Sequence, residues 1–217
     1  MKKVLYFTLL VVVFASCTAK KGFVTKIAKQ DIVDIQRFPV LSDIYALDKN
    51  DNGFVSDSLS SLSDQCIDNY LDRQNNICFG GNVVFDDSIV QQKVNNEIRK
   101  LAEIAYDNEE IAFVPIPPTI DSLMEALGKR FGLLVYANGY ERYESSFFGV
   151  LTQAWYSIRG YANPKPYYEY FSNIALMIVD SEKNNIAFYN HSALKEKPSQ
   201  QYCIDRHFMI LYYRYWR

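Results

Sequence analysis

Apolar residues recur along this chain in two rhythms, one helical and one strand-like. After Asp86-Asp87-Ser88, a helix-start signal, Ile89, Val90, Val94, Ile98, Leu101, Ile104 and Ala105 fall at helical spacing. Gln91, Gln92, Asn95, Asn96, Arg99 and Lys100 occupy the opposite face, so an amphipathic helix packs there against a core. Ile111–Ile116 is a short apolar strand candidate ended by Pro117-Pro118. Thr119 then suits an N-cap, Asp121 suits the first turn, and Ile120, Leu123, Met124 and Leu127 form a buried stripe. Lys129 and Arg130 close that helix and Gly132 offers its stop.

Leu133–Ala137 is apolar throughout, as for a strand covered on both faces. Phe147, Leu151, Ala154, Trp155 and Ile158 predict a further helix over 145–158. Two more strands, Ile174–Val179 and Ile186–Tyr189, flank Asp180-Ser181-Glu182-Lys183-Asn184-Asn185, a hairpin signal. Ile204, Phe208, Leu211, Tyr212 and Tyr215 predict a terminal helix. Upstream, Pro39–Leu47 has no clean period, and Asp48–Ser63, rich in Asp, Asn, Ser and Gly, is expected to be a loop.

The order predicts an α/β fold, with α+β as the alternative: a mixed sheet flanked by helices, with a C-terminal hairpin and a terminal helix. One domain is expected over 36–217, with an aromatic-rich insertion at about 140–173. The N-terminus follows different rules. Lys2 and Lys3 precede eleven uncharged residues, Val4–Phe14. A bilayer span needs about 20 apolar residues, so this run fits the apolar region of a signal peptide instead.

Phe14-Ala15-Ser16-Cys17 resembles the lipobox of bacterial lipoproteins, with Phe where Leu or Val is usual. The resemblance implies cleavage after residue 16 and acylation of Cys17, followed by a tether over 17–35. Each buried CH₂ of an acyl chain contributes about 0.8 kcal/mol, so several chains together hold a protein at a membrane surface. By the same resemblance, the absence of Asp after Cys17 and of an acidic cluster downstream implies an outer-membrane anchor facing the periplasm.

A second resemblance rests on Leu127-Gly128-Lys129-Arg130-Phe131-Gly132-Leu133-Leu134-Val135-Tyr136-Ala137-Asn138-Gly139, with Ile174–Asp180 and Ile186–Tyr189. This resembles envelope domains of the TolB N-terminal type and the periplasmic region of the curli-secretion lipoprotein. In them a helix delivers a strand reading glycine, hydrophobic, glycine, and a later strand ends in Asp before a hairpin. The resemblance implies an α/β sandwich that binds other envelope proteins and is not an enzyme. It covers about half of the chain, transfers no functional residue, and is broken by the insertion from Tyr140 to Asn173.

Composition narrows the function classes. Without Lys2 and Lys3 the formal net charge moves from −2 to −4, and no basic stretch is longer than the Lys20-Lys21 pair, so nucleic acid is not an expected partner. No phosphate-cradling glycine loop is present, Gly80-Gly81 reading as a turn, and no cofactor is expected. The pattern assigns no oligomeric state. An exported compartment permits disulfides, and Cys66 with Cys78 is the favoured pair, pairing of Cys203 with either being the alternative.

Two motifs carry possible chemistry. Asp48-Lys49-Asn50-Asp51-Asn52-Gly53 begins as an EF-hand loop does, with Asp48, Asn50 and Asn52 as candidate calcium ligands and Val40, Ile44 and Leu47 on an entering helix. The twelfth position, where a bidentate Glu closes the shell, is Leu59, and a surface turn is the reading preferred. Cys203 and His207 lie four apart, with His191 as a possible neighbour, but two histidines are too few for a zinc set. A buried cysteine and a hydrogen-bonded histidine are expected instead.

The compositional anomaly is aromatic: seventeen Tyr, fourteen Phe and two Trp. Tyr and Trp join apolar area to a polar tip, which suits interfaces. Tyr140, Tyr143, Trp155, Tyr161, Tyr167 and Tyr168 are the candidate partner-binding surface. The function expected is a lipid-anchored, non-enzymatic envelope domain that binds a protein or assists assembly. The alternatives are a glycan- or cell-wall-binding lipoprotein and a hydrolase.

Overall fold

A computed structural model describes residues 27–48, 51–74, 77–107, 113–142 and 168–212. Its spine is a long strand, β5 (Phe131–Arg142), with β6 (Tyr170–Asp180) antiparallel along one edge from Phe131↔Asp180 to Glu141↔Tyr170. β7 (Asn185–Leu194) pairs antiparallel with β6, completing the C-terminal hairpin. Along the other edge of β5, β1 (Ile35–Arg37) and β2 (Leu41–Leu47) lie end to end, both parallel to it. Pro39, which has no N–H to donate, falls in the break, while the Phe38 N–H holds the chain to the Leu133 carbonyl at 3.0 Å. β3 (Gly53–Val55) adds antiparallel to β2 and β4 (Phe79–Asn82) parallel to β1.

Helices cover both faces. α1 (Asp57–Asp72) and α4 (Gln201–Tyr212) bury Ile67, Leu71, Ile204, Phe208 and Leu211 against Leu133, Val135, Leu176, Ile178 and Phe188. On the other face α2 (Ser88–Asp107) and α3 (Pro118–Leu127) bury Val94, Ile98, Leu101, Ile120 and Met124 against Phe38, Leu134, Met177 and Val179. Successive strand residues therefore enter different cores, which is why Leu133–Val135 and Ile174–Val179 are apolar without alternation. This is the predicted α/β class, with a mixed sheet, a C-terminal hairpin and a terminal helix.

Several local expectations are corrected. The stretch expected as loop, Asp48–Ser63, holds β3 and the start of α1, capped by Ser56, whose Oγ accepts the Leu59 N–H at 3.4 Å. The buried positions of α1 are Ser60, Ser63, Ile67 and Leu71, a helical spacing hidden because two of the four are serines. Those hydroxyls serve the packing: Ser60 Oγ accepts the Ile44 N–H at 3.0 Å and Ser63 Oγ lies 3.1 Å from Ser42 Oγ. Cys66 sits in this helix and Cys78 ahead of β4, and Cys66, Cys78 and Cys203 are all free thiols. The expected Cys66–Cys78 bridge is absent.

Phe113–Ile116, the described part of the strand expected at 111–116, forms no strand. Ile116 is buried, and its N–H goes to Asn184 Oδ1 at 3.0 Å. α3 begins at Pro118 with Pro117 as N-cap, so Thr119 lies inside the first turn rather than capping it. Proline carries no capping oxygen, and Glu97 of α2 takes that role: its two carboxylate oxygens accept the Thr119 and Ile120 N–H groups, both at 3.1 Å. The helix stops at Gly128, in the left-handed region at φ 62°, four residues before the glycine expected. Gly132 lies in β5 instead, where a Cβ would stand 3.0 Å from Met124 Sδ, so the absent side chain lets α3 approach the sheet. Ile89, expected on the buried face of α2, is exposed, while Ile32, upstream of residue 36, is already buried.

Candidate functional site

α3 covers the sheet where β5 begins and β6 ends, through Met124 beside Gly132 and Val179. At the opposite end, among the described residues, α2 is the helix over the strands, and a groove of about 520 Å³ lies there. Its floor is Tyr136 and Asn138 of β5, Phe171, Asn173 and Ala175 of β6, and Tyr189, His191 and Ala193 of β7. α2 supplies the wall with Arg99, Ala102, Glu103 and Tyr106. Register explains the convergence. Asn138 faces Asn173, Asn173 faces Ala193 and Ala175 faces His191, so three strands present the same side to α2.

The groove joins rings to polar groups. The Tyr106 ring stands edge-on to His191, with centroids 5.1 Å apart and planes at 67°, and Tyr189 tilts 32° to His191 at 5.8 Å. At the β2 end, Arg99 grips Asp43 through two hydrogen bonds, Nε to Oδ2 at 2.6 Å and Nη2 to Oδ1 at 2.8 Å. The Tyr136 hydroxyl donates to the same carboxylate at 3.0 Å. Burial works to raise the Asp43 pKa, but the hydrogen bonds from Arg99 and Tyr136 outweigh it and hold the carboxyl below its ordinary range. Burial, then the Asp43 charge, raises the Tyr136 hydroxyl, and burial likewise raises that of Tyr189, so both phenols stay protonated donors. The Tyr189 hydroxyl and Asn173 Oδ1 are buried without a hydrogen-bond partner.

The candidates from sequence distribute unevenly. Tyr140 stacks on Phe171 at 5.9 Å and 24°, at the end of the groove floor. Tyr168 lies under Lys195, whose Nζ is 3.9 Å from the ring centroid. Cys17, Asn50, Tyr143, Trp155, Tyr161 and Tyr167, with the whole of the helix expected at 145–158, lie outside the described residues. Asp48 and Asn52 belong to the turn between β2 and β3, so Val40, Ile44 and Leu47 lie on or next to a strand and no entering helix exists. Asp48 Oδ1 accepts the Asn52 N–H at 2.9 Å, and Arg142 donates to the Asp48 carbonyl at 2.8 Å and pairs with Asp51. Those oxygens are turned to closing a hairpin.

Cys203 and His207 do meet, through Ser172. Its Oγ lies 2.7 Å from His207 Nε2 and 3.2 Å from Cys203 Sγ. The three residues are buried under α4, with exposures of 1% for Ser172 and Cys203 and 0% for His207. Burial raises the Cys203 thiol, while burial and the nearby Arg206 push His207 down to about 4. A neutral thiol and a neutral imidazole without access to substrate form a core hydrogen-bond network, not a nucleophile pair. Among the described residues no three His, Cys, Asp or Glu side chains could hold a metal, and no helix is long and apolar enough to cross a membrane.

Sequence reasoning overlooked the groove residues Arg99, Tyr106, Phe171, Asn173 and Tyr189 as site candidates. A signal was present: Asn138, Asn173 and His191 are polar residues at core-facing positions of three strands. Reading it required knowing which strands are neighbours.

No protein-family model matches the chain, and no curated protein sequence matches it. Among solved structures, the C-terminal domain of LpoB from Salmonella enterica is similar at 7% identity and a TM-score of 0.35, over 80% of this chain and 88% of that domain. A likeness at that level assigns neither fold nor function.

Proposed function

We propose that this chain is a lipid-anchored envelope protein without enzymatic activity, and that the groove beside α2 receives a protein partner. The observation that carries the reading is the groove itself: a recess between α2 and the sheet, lined by Tyr106, Tyr136, Phe171 and Tyr189, with two buried polar atoms unpaired. At its β2 end Asp43 and Arg99 saturate each other, and the buried Ser172–His207 pair lies beneath the other face. The lipobox-like Phe14–Cys17 supplies the anchor, with the body in the periplasm at the outer membrane. A partner held in the same envelope would then be met at high local concentration.

The test is site-specific photocrosslinking in the native host. A photoreactive phenylalanine at Tyr106, on the groove wall, is expected to give a discrete adduct with one envelope protein. The same probe at Met209, exposed on α4 across the molecule, is expected to give none. Equal labelling from both positions, or none from Tyr106, contradicts the reading. Cys17→Ser is expected to release the protein from the membrane fraction, and its retention there contradicts the anchor.

A further inference from the structure

We infer that the groove takes an extended polypeptide segment of its partner and reads the segment's main chain through the Tyr189 hydroxyl and the Asn173 side-chain oxygen. This rests on the binding role proposed above and names the chemistry of the occupant. Tyr189 is only 4% exposed, yet its hydroxyl has no partner, and Asn173 Oδ1 is buried in the same state. Both side chains line the groove. Buried polar atoms are nearly always paired, and an orphan costs free energy until something satisfies it.

The two orphans ask for complementary partners. Tyr189 offers a donor and Asn173 Oδ1 an acceptor. Tyr189 faces Met177 across the ladder and Asn173 faces Ala193, so the two sit four residues apart in register. At the rise of a strand that sets their Cα positions about 13 Å apart along the sheet, or roughly four residues of extended chain. A peptide backbone carries an acceptor and a donor on almost every residue and spans that distance without strain. Ala175 lies between the two anchors in register, and Ala102 and Ala193 also line the groove, small side chains that leave room for those of a ligand.

A sugar chain fits less well. Tyr106 and Tyr189 meet His191 at 67° and 32°, so these rings build no flat platform. The Arg99–Asp43 pair, which would otherwise suit neighbouring hydroxyls, is closed on itself.

The test selects random linear peptides on phage against the purified full chain and remakes the best binder as a fluorescent peptide. Chitotetraose is the sugar probe. Tyr189→Phe and Asn173→Ala, each deleting one hydrogen bond, are expected to weaken the peptide about tenfold at unchanged circular dichroism. N-methylation of single peptide amides, tested on the wild-type chain, is expected to find one amide whose loss matches Asn173→Ala. Combining that peptide with Asn173→Ala is expected to cost nothing further. The inference is overturned if no peptide is enriched, if N-methylation is without effect at every position, or if both variants bind as wild type. Chitotetraose binding to the wild-type chain and lost in Tyr189→Phe and Asn173→Ala, with no peptide enriched, also overturns it. A Tyr106 adduct together with peptide binding indifferent to both variants defeats this inference alone, whereas absence of the adduct defeats the binding role beneath it.

Discussion

Arg130→Met is expected to destabilise the fold far more than an ordinary surface charge deletion. Asp180 closes β6 at 0% exposure, and its carboxylate is held by Arg130 Nε at 2.9 Å and Nη2 at 2.8 Å. Without the guanidinium, what remains is the Glu182 N–H at 3.2 Å, one neutral donor for a fully buried charge. Removing one partner of a buried pair costs about 3–5 kcal/mol, because the other stays desolvated and uncompensated. Arg130 also meets Glu182 at 3.0 Å, but that carboxylate is 65% exposed, and its share is at most about 1 kcal/mol. At about 2–4 °C per kcal/mol for a domain of this size, the melting temperature should fall by roughly 6–20 °C. The control is Arg73→Ala, whose pair with Asp205 is exposed on both sides and is worth about 0–1 kcal/mol. Urea unfolding followed by circular dichroism at constant pH measures both variants. The double variant Arg130→Met with Asp180→Leu should regain much of the loss, since no buried charge is then stranded. If Arg130→Met unfolds at the same urea concentration as Arg73→Ala, the reasoning about Asp180 is wrong.

Two further outcomes follow from local electrostatics and capping. Burial raises the Asp64 carboxyl from 3.8 to about 7, with Asp68 and Asp43 adding to the shift and the Ser42 hydroxyl opposing it. The native state therefore holds a proton that the unfolded chain releases, so this stabilising contribution is full below pH 3.8 and is lost as pH rises through about 7. Asp64→Asn should gain stability relative to wild type between pH 5 and pH 8, by about 1–3 kcal/mol at the upper end, and a difference independent of pH refutes the assignment. His207 acts with the opposite sign, its contribution being present above 6.5 and lost as pH falls through about 4, so the variant must be compared with wild type at each pH. Glu97→Ala should cost about 0.5–2 kcal/mol and speed amide exchange in α3, whereas Thr119→Ala should do neither, because the cap comes from α2. Equal effects of the two substitutions would restore Thr119 as the cap.

What the sequence discloses depends on how locally each feature is written. The β6–β7 hairpin is legible because an uninterrupted apolar run, a six-residue polar turn and a second apolar run are contiguous. α2 is legible because its stripe is built from large aliphatic residues. α1 escapes because Ser60 and Ser63 occupy its buried face, where small hydroxyls bridge to β2 and apolarity gives no signal. The cap of α3 escapes because the side chain that provides it is more than twenty residues away, on another helix. The groove escapes for the same reason on a larger scale. Its walls come from α2, β5, β6 and β7, and no window of sequence contains Arg99, Asn138, Asn173 and Tyr189 together. The Cys203–His207 spacing was legible as a shared helix face, but the Ser172 hydroxyl between the side chains, and the burial that removes them from chemistry, belong to the fold.

Hydrogen exchange on the full chain, alone and bound to the partner crosslinked through Tyr106, tests the role of the groove most directly. Binding should slow exchange in Phe171–Ala175 and Tyr189–Ala193 and along the Arg99–Tyr106 wall, and leave α4 unchanged. Protection confined to α1 and α4, with those segments exchanging as in the free protein, would place the partner on the opposite face and contradict the account.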